Sequence, residues 1–224
     1  IGSCHLEGID AAYNSAYLLD GMGTMIDRYD KQYLVPFGEY VPFHPLLGWL
    51  EPVARDLGVS DFYAGNRPGV FQMPNQKFFF SSLICFEDIF PNLAREAVDQ
   101  GAEWLAVITN DAWFGPTAAA HQHLQASVFR ALENGVPVVR AANTGISGFI
   151  SAKGEVFDRV TGRNGKDIFV TGTKTATVYL PGGTTFYRRA GWIFPYTVAL
   201  IFLVTLLGWK TRGFIREKRN IPSA

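Results

Sequence analysis

Short apolar runs alternate with longer helical patterns through the middle of the chain. The runs 78–85 and 104–110 are typical of buried strands because they are short and almost wholly apolar. The segment 92–101 between them has helical spacing and ends in a glycine, and a second helical pattern covers 118–134 before another glycine. This alternation predicts strands and helices that pack in layers.

Further strands are predicted after the second helix. The segments 136–143 and 145–152 have strand-like composition, and a lysine–glycine pair then marks a hairpin turn. A late strand is predicted at 175–180, where the sequence reads TATVYL. Strands and helices in this order predict an α/β fold with a mixed sheet.

Residues 191–209 form an apolar stretch that no charged residue interrupts. About 18 apolar residues are near the minimum for a helix that crosses a bilayer core, and tryptophan and tyrosine near the ends of the stretch suit the lipid–water interface. A buried helix at the end of a globular domain is the alternative. The sequence therefore predicts a globular domain at 1–190, a transmembrane helix at 191–209 and a basic tail at 210–224.

The charges that flank this stretch predict its orientation. Five basic residues follow it with a single glutamate among them, whereas two arginines closely precede it. By the positive-inside rule, this bias places the tail in the cytoplasm and residues 1–190 on the other side of the membrane. In a Gram-negative cell that other side is the periplasm.

Composition and charge exclude several classes of protein. With 48% hydrophobic and 18% charged residues, the chain is too apolar to be disordered. Its formal net charge is zero, so no global basic field attracts nucleic acid, and no nucleic-acid partner is expected.

His121 and His123 lie two positions apart and face different sides of a helix, so we expect structural or solvent-exposed roles and no metal site. A glycine-rich phosphate loop is not found, and no cofactor is expected.

Cys85 is the candidate nucleophile, since it ends the first apolar run and is followed by Phe86, Glu87 and Asp88. The C-terminal end of a strand is where α/β sheets place their ligands, which favours a role in chemistry. A buried structural cysteine would have the same strand context. Because two acidic residues follow, the thiol needs a basic partner to react as a thiolate.

Two further segments supply candidate side chains. Lys31, the candidate basic partner, lies in the segment 29–43, where two prolines and a glycine shape a non-helical turn and Glu39 follows the lysine. A solvated surface ion pair is the alternative for these two residues. The turn after the second apolar run carries Trp113 and Phe114, which form either a packed turn or one wall of a pocket.

Four segments of the chain resemble the nitrilase superfamily and, within it, the membrane-bound apolipoprotein N-acyltransferases. They are DKQYLVPFGEYVPF, ICFED, TNDAWFG and HLQASVFRALENGVPVVRAANTGISG, and with the apolar stretch they extend the resemblance over essentially the whole chain. The resemblance implies a partial αββα sandwich followed by a C-terminal transmembrane helix. It also implies a bacterial inner membrane location, with the catalytic domain on the periplasmic side.

The resemblance implies roles for individual residues. By position, Cys85 matches the nucleophile, Lys31 the catalytic lysine and Glu39 the family's second glutamate. A phenylalanine follows the nucleophile where the family often has a tyrosine. We expect the substrate-binding residues to be Val35, Phe37, Phe86, Glu87, Trp113 and Phe114.

The implied reaction is acyl transfer between two lipid-anchored substrates. Cys85 takes an acyl chain from a phospholipid as a thioester, and the N-terminal amine of a diacylglyceryl-cysteine lipoprotein then accepts that chain. The family's general-base glutamate, in a Trp-Pro-Glu segment, has no match before Lys31, so the chain is expected to be the C-terminal part of a longer enzyme. A membrane-tethered amidase of the same superfamily and an inactive scaffold are the alternatives.

The segment 44–65 is a candidate lid over the site. It carries the apolar residues Leu46, Leu47, Trp49 and Leu50, which we expect to be exposed. We expect it to dip into the membrane interface and admit acyl chains. A packed excursion from the domain is the alternative.

Overall fold

The computed structural model describes residues 2–7, 11–43, 49, 62–74, 76–191 and 193–219. The chain divides into two compact units, Ile1–Gly183 and Thr184–Ala224. Most of the candidate lid at 44–65 lies outside the described residues, as does the end of the basic tail.

The smaller sheet of the first unit positions Lys31. Its described strands are β1 (Gly2–Glu7), β2 (Ala11–Leu19) and β3 (Met25–Asp30), which pair antiparallel in that order. Lys31 directly follows β3, and its backbone N–H donates to the carbonyl of Asn14 in β2 at 2.8 Å. The sheet therefore fixes the start of the predicted catalytic segment.

The larger sheet has six strands among the described residues, and they lie in chain order. They are β4 (Val70–Gln72), β5 (Phe79–Ile84), β6 (Trp104–Asn110), β7 (Val138–Asn143), β8 (Gly148–Ile150) and β9 (Val156–Phe157). The central strands β5, β6 and β7 are parallel and the outer pairs antiparallel, which confirms the predicted mixed sheet. The parallel connections contain α1 (Pro91–Asp99) and α2 (Ala119–Asn134), which confirms both predicted helices.

Apolar side chains pack on both faces of the larger sheet. One core joins this sheet to α1 and α2 and includes Leu83, Leu105 and Ala131. A second core joins the two sheets and includes Tyr29 and Ile84. The first unit is therefore layered as sheet, sheet and helix, which confirms the α/β fold class.

The late strand predicted at 175–180 is wrong. These residues form no ladder with another strand in the described part of the chain. The alternation that suggested a strand is present, because Ala176, Val178 and Leu180 are half-buried and the residues between them are exposed. Alternation reports only which face is covered, whereas a strand also needs a neighbour for its backbone hydrogen bonds.

The described residues of the second unit form the helices α3 (Phe186–Ala190) and α4 (Ile193–Arg219). Every side chain from Ile193 to Trp209 is exposed, although most of them are apolar. Among the described residues, no helix combines the length and the apolar character needed to cross a membrane. The transmembrane helix predicted at 191–209 is therefore not confirmed.

Candidate active site

Two of the candidate segments follow parallel strands that end at one edge of the larger sheet. β5 leads into a short 3-10 helix at Cys85–Ile89, and β6 leads into another at Asp111–Phe114. Because the carboxyl ends of parallel strands meet at the same edge, the predicted nucleophile and the predicted aromatic turn share this edge. The helix Cys85–Ile89 is called the Cys85 turn below.

Cys85 has a left-handed backbone, with a φ of 53°, and its side chain is half-buried. A non-glycine residue in a sparsely populated region of this kind costs about 1–3 kcal/mol and persists only where its surroundings hold it. Strained positions of this kind cluster at active sites. The backbone therefore favours the nucleophilic role over that of a structural cysteine.

Glu87 joins the Cys85 turn to the segment that follows β3. Its fully buried carboxylate accepts hydrogen bonds from the backbone N–H groups of Ile84 at 2.8 Å and Gln32 at 2.7 Å. The hydroxyl of Tyr29 donates to the same carboxylate at 2.7 Å. One side chain thus holds the two predicted catalytic segments together, and its predicted contact with substrate stays a prediction.

Burial changes the ionisation of this carboxylate and of its tyrosine partner. Burial raises the pKa of the Glu87 carboxyl, and the backbone and hydroxyl groups that donate to it oppose that rise. Burial also raises the pKa of Tyr29, and the negative charge of Glu87 adds to the rise. The tyrosine is therefore a neutral hydrogen-bond donor at physiological pH.

Lys31 and Glu39 form a buried ion pair, called the Lys31 pair below. Lys31 is 1% exposed, and its Nζ lies 2.7 and 2.9 Å from the two carboxylate oxygens of Glu39. Glu39 also accepts from the Asn14 side-chain amide and from the Val35 N–H, each at 2.8 Å. This burial excludes the solvated surface pair that the sequence left open.

The other predicted substrate-binding side chains differ in how far they are exposed. Val35 is half-buried, whereas Phe37 is 58% exposed and Trp113 is 80% exposed. Phe86 packs edge-on against Phe90, with the ring centroids 5.1 Å apart. Exposed aromatic rings suit an apolar ligand, and the contact of these side chains with substrate stays a prediction.

A second set of buried charges contacts the Cys85 turn. It consists of His123, Asp88, Asp111 and Arg140 and is called the His123 cluster below. The imidazole Nδ1 lies 2.8 Å from Asp111 Oδ1 and its Nε2 lies 2.8 Å from Asp88 Oδ1. The guanidinium of Arg140 lies 2.8 Å from Asp88 Oδ2 and 3.2 Å from Asp111 Oδ2.

The cluster balances two carboxylates with two cations. Burial alone would lower the pKa of His123, but hydrogen bonds with the two aspartates outweigh it and raise this pKa to about 9. Burial would raise the pKa of Asp111, yet the hydrogen bond with His123 and the charge of Arg140 hold it below its ordinary value. The ring of Phe114 packs edge-on against the imidazole, with centroids 6.2 Å apart. His123 is therefore a buried cation, and the solvent-exposed alternative for it is wrong.

Tyr29, Asp88, Asp111 and Arg140 were not predicted as site residues from the sequence. Asp88 and Asp111 carry a usable signal, because each follows a parallel strand that ends at the site edge. Tyr29 and Arg140 carry no comparable signal, since each lies within a strand and reaches its partner only through the fold.

The first unit matches a known protein family over almost all of its length. The family model described as carbon-nitrogen hydrolase matches residues 1–180. The chain therefore belongs to the carbon-nitrogen hydrolase family.

Two solved structures share the fold of this chain. They are an amidase from Nesterenkonia sp. and Nit3 from Saccharomyces cerevisiae, a member of branch 10 of the nitrilase superfamily, with TM-scores of 0.51 and 0.52. Each covers 71% of this chain, which in turn covers 55% and 53% of those chains. The identities are 22% and 17%, so the likeness shows the fold alone.

Two sequence relatives are more similar to this chain than these structures are, and both are named apolipoprotein N-acyltransferase. The apolipoprotein N-acyltransferase of Geobacter metallireducens is 40% identical over 89% of this chain and 37% of its own length. That of Haemophilus influenzae is 38% identical over 87% of this chain and 35% of its own length. The chain thus spans little more than a third of the curated relatives it matches.

Proposed function

We propose that the protein is an N-acyltransferase that moves an acyl chain from a phospholipid to the N-terminal amine of a diacylglyceryl-cysteine lipoprotein. Sequence relatives named apolipoprotein N-acyltransferase support the N-acyl transfer in this proposal. The observation that carries it is the Glu87 carboxylate, which binds the backbone beside Cys85 and the backbone directly after Lys31. A strained cysteine and a buried lysine thus lie on joined segments.

In the first step, the Cys85 thiolate attacks the ester carbonyl of the phospholipid. A carbon–sulfur bond forms, the ester carbon–oxygen bond breaks, and the lysophospholipid leaves as an alcohol after it takes a proton. Lys31 stabilises the negative oxygen of the tetrahedral intermediate. Loss of one such donor typically costs about 3–4 kcal/mol of barrier.

In the second step, the lipoprotein amine attacks the thioester carbonyl. A carbon–nitrogen bond forms, the thiolate of Cys85 leaves, and a proton departs from the nitrogen. The amine has a pKa of about 7.7–8.0, so it needs a base near neutrality. Glu39 is an unsuitable base because both of its oxygens bind Lys31. We assign Glu39 to orienting the lysine and balancing its charge.

Both substrates carry lipid chains, so the site must open at a membrane surface. The exposed apolar side chains along α4 support an anchor at 191–209, and the basic residues after it support a cytoplasmic tail. Exposed rings at Phe37 and Trp113 suit contact with acyl chains. We therefore propose a bacterial inner-membrane enzyme whose catalytic domain faces the periplasm.

The test is acylation of Cys85 by a labelled phospholipid. The protein that carries this chain, incubated with the lipid in detergent, should gain a label that hydroxylamine removes. Cys85→Ala should abolish the label, whereas Cys4→Ser, which changes the other cysteine of the chain, should retain it. Active protein that never gains the label would reject the proposal. Release of ammonia from small amides without lipid labelling would support the amidase alternative instead.

A further inference from the structure

The Cys85 turn needs a group that holds its strained backbone. Glu87 binds the entrance of the turn through the N–H of Ile84, but it does not bind the carbonyl of Cys85 itself. The imidazole of His123 contacts that carbonyl oxygen, with its Nε2 3.3 Å away. The same Nε2 lies 2.8 Å from Asp88 Oδ1, so one ring nitrogen contacts the turn at two of its residues.

The contacts of the ring require its charged form. Nδ1 faces a carboxylate oxygen of Asp111, and Nε2 faces the Asp88 carboxylate and the Cys85 carbonyl. A carboxylate oxygen or a carbonyl oxygen can act only as an acceptor. A neutral imidazole has a single N–H and would present a lone pair to one of them, whereas an imidazolium donates from both nitrogens.

Charged residues from three other elements lie at the imidazole or at its two aspartate partners. The Cys85 turn contributes Asp88, the turn after β6 contributes Asp111, and β7 contributes Arg140. On α2 itself, Arg130 donates to the backbone carbonyl of Asp88 at 3.3 Å and forms an ion pair with Glu133. With His123 charged the two aspartates have two direct cationic partners, and with His123 neutral they have one.

We propose that His123, held between two buried aspartates, is a positioning residue that fixes the Cys85 backbone for nucleophilic attack. The inference rests on the proposed function, since it assumes that the thiol of Cys85 is the nucleophile. His123 donates to the Cys85 carbonyl and opposes relaxation of the left-handed residue into an ordinary conformation. It does not touch the substrate.

A purely structural role makes different predictions from a positioning role. If His123 only balances charge, its loss weakens the whole first unit and leaves the Cys85 turn no more mobile than its neighbours. If it positions Cys85, its loss makes the Cys85 turn more mobile than the neighbouring elements. Acylation of Cys85 then slows, and the affinity for lipid does not change to match. Amide hydrogen exchange of the turn, compared with that of α1, separates the two cases.

The experiment compares wild-type protein, His123→Gln and His121→Gln. His121 is exposed and lies two residues earlier on the same helix, so it is the matched control. In His123→Gln, we expect peptides that cover the Cys85 turn to lose about tenfold to a hundredfold of their protection at pH 7, the range for a hydrogen bond to a charged group. Peptides from α1 should change far less, and His121→Gln should match the wild type. Equal protection of the turn in His123→Gln and wild type would overturn the proposal.

A second experiment uses only the wild-type protein. It tests the positioning role even if His123→Gln does not fold. In the wild-type protein, the backbone amides of the Cys85 turn should become less protected from hydrogen exchange between pH 8 and 10, as the imidazolium loses its proton. The exchange rates are first corrected for the intrinsic effect of pH. A turn that stays equally protected over this range in folded protein would contradict the positioning role.

The exchange measurements use no lipid, so they stand even if the proposed acyl transfer fails. Acylation of Cys85 by labelled phospholipid then tests the catalytic consequence. We expect a fall of about tenfold or more in the maximal rate for His123→Gln, with the KM for lipid unchanged. A rise in KM at an unchanged maximal rate would place His123 in lipid binding and overturn the assignment.

Discussion

The Lys31 pair and the His123 cluster are both buried, but they handle charge in opposite ways. The ammonium of Lys31 has three N–H groups, and Glu39 binds it through two contacts, which leaves capacity for a developing oxyanion. The imidazole of His123 has two N–H groups, and aspartates face both of them. The first arrangement is suited to chemistry and the second to holding the scaffold. Variants of the Lys31 pair should therefore mainly slow the reaction, whereas variants of the His123 cluster should mainly lower the free energy of unfolding.

The largest effect should come from Arg140→Met. This guanidinium is fully buried in the His123 cluster, and its loss leaves two carboxylates with His123 as their remaining cation in the cluster. Breaking a buried ion pair from one side costs about 3–5 kcal/mol. Denaturant unfolding measures the loss. Arg159→Met, which removes the exposed partner of Asp167, should cost less than about 1 kcal/mol. Equal losses of unfolding free energy in the two variants would show that the His123 cluster does not stabilise the fold.

Lys31→Met should instead damage the reaction more than the fold. We expect acylation of Cys85 to fall by about 10²–10³-fold, the range for loss of one oxyanion donor. The stability loss should be smaller than for Arg140→Met, because Glu39 keeps the Asn14 amide and the Val35 N–H as donors. Lys77→Met changes an exposed lysine and should leave both quantities unaltered. Normal acylation in Lys31→Met would remove the lysine from the mechanism.

The two regions also differ in how far the sequence could predict them. Lys31 and Glu39 lie eight residues apart in one segment, so a local pattern and a resemblance were enough to pair them. The His123 cluster draws on residues 88, 111, 123 and 140, which the fold gathers from two turns, a helix and a strand. No local pattern reports such a set. Its strands and helices were nevertheless predictable one by one from short apolar runs and helical spacing.

The pH dependence of stability should identify the His123 cluster. The pKa of His123 rises from 6.5 to about 9 on folding, so its contribution is complete below pH 6.5 and is lost as the pH rises through about 9. A shift of this size corresponds to about 3 kcal/mol. Denaturant unfolding of the wild type between pH 6 and 10 should show this loss, and His123→Gln should lack it. A wild-type profile that matches the variant would mean that the imidazole is neutral in the folded protein.

The smallest effect should come from Gly145→Ala, which tests how tightly Asp111 is held. A Cβ at Gly145 would lie 2.0 Å from Asp111 Oδ2 and 2.7 Å from its Cγ. A free carboxylate could rotate away, but this one is bound by His123 and Arg140. The added methyl group must therefore displace the cluster, at a cost of about 1–3 kcal/mol.

The matched control for this variant is Gly21→Ala, where a new Cβ meets nothing within 4 Å and the change should cost less than about 0.5 kcal/mol. Because Asp111 contacts the ring of His123, the displacement should also reach the Cys85 turn and slow acylation slightly. Full stability in Gly145→Ala would show that Asp111 has room to move. The Nδ1 of the imidazole would then have no fixed partner. The contrast with Lys31, which rests on both imidazole N–H groups being held by aspartates, would no longer apply.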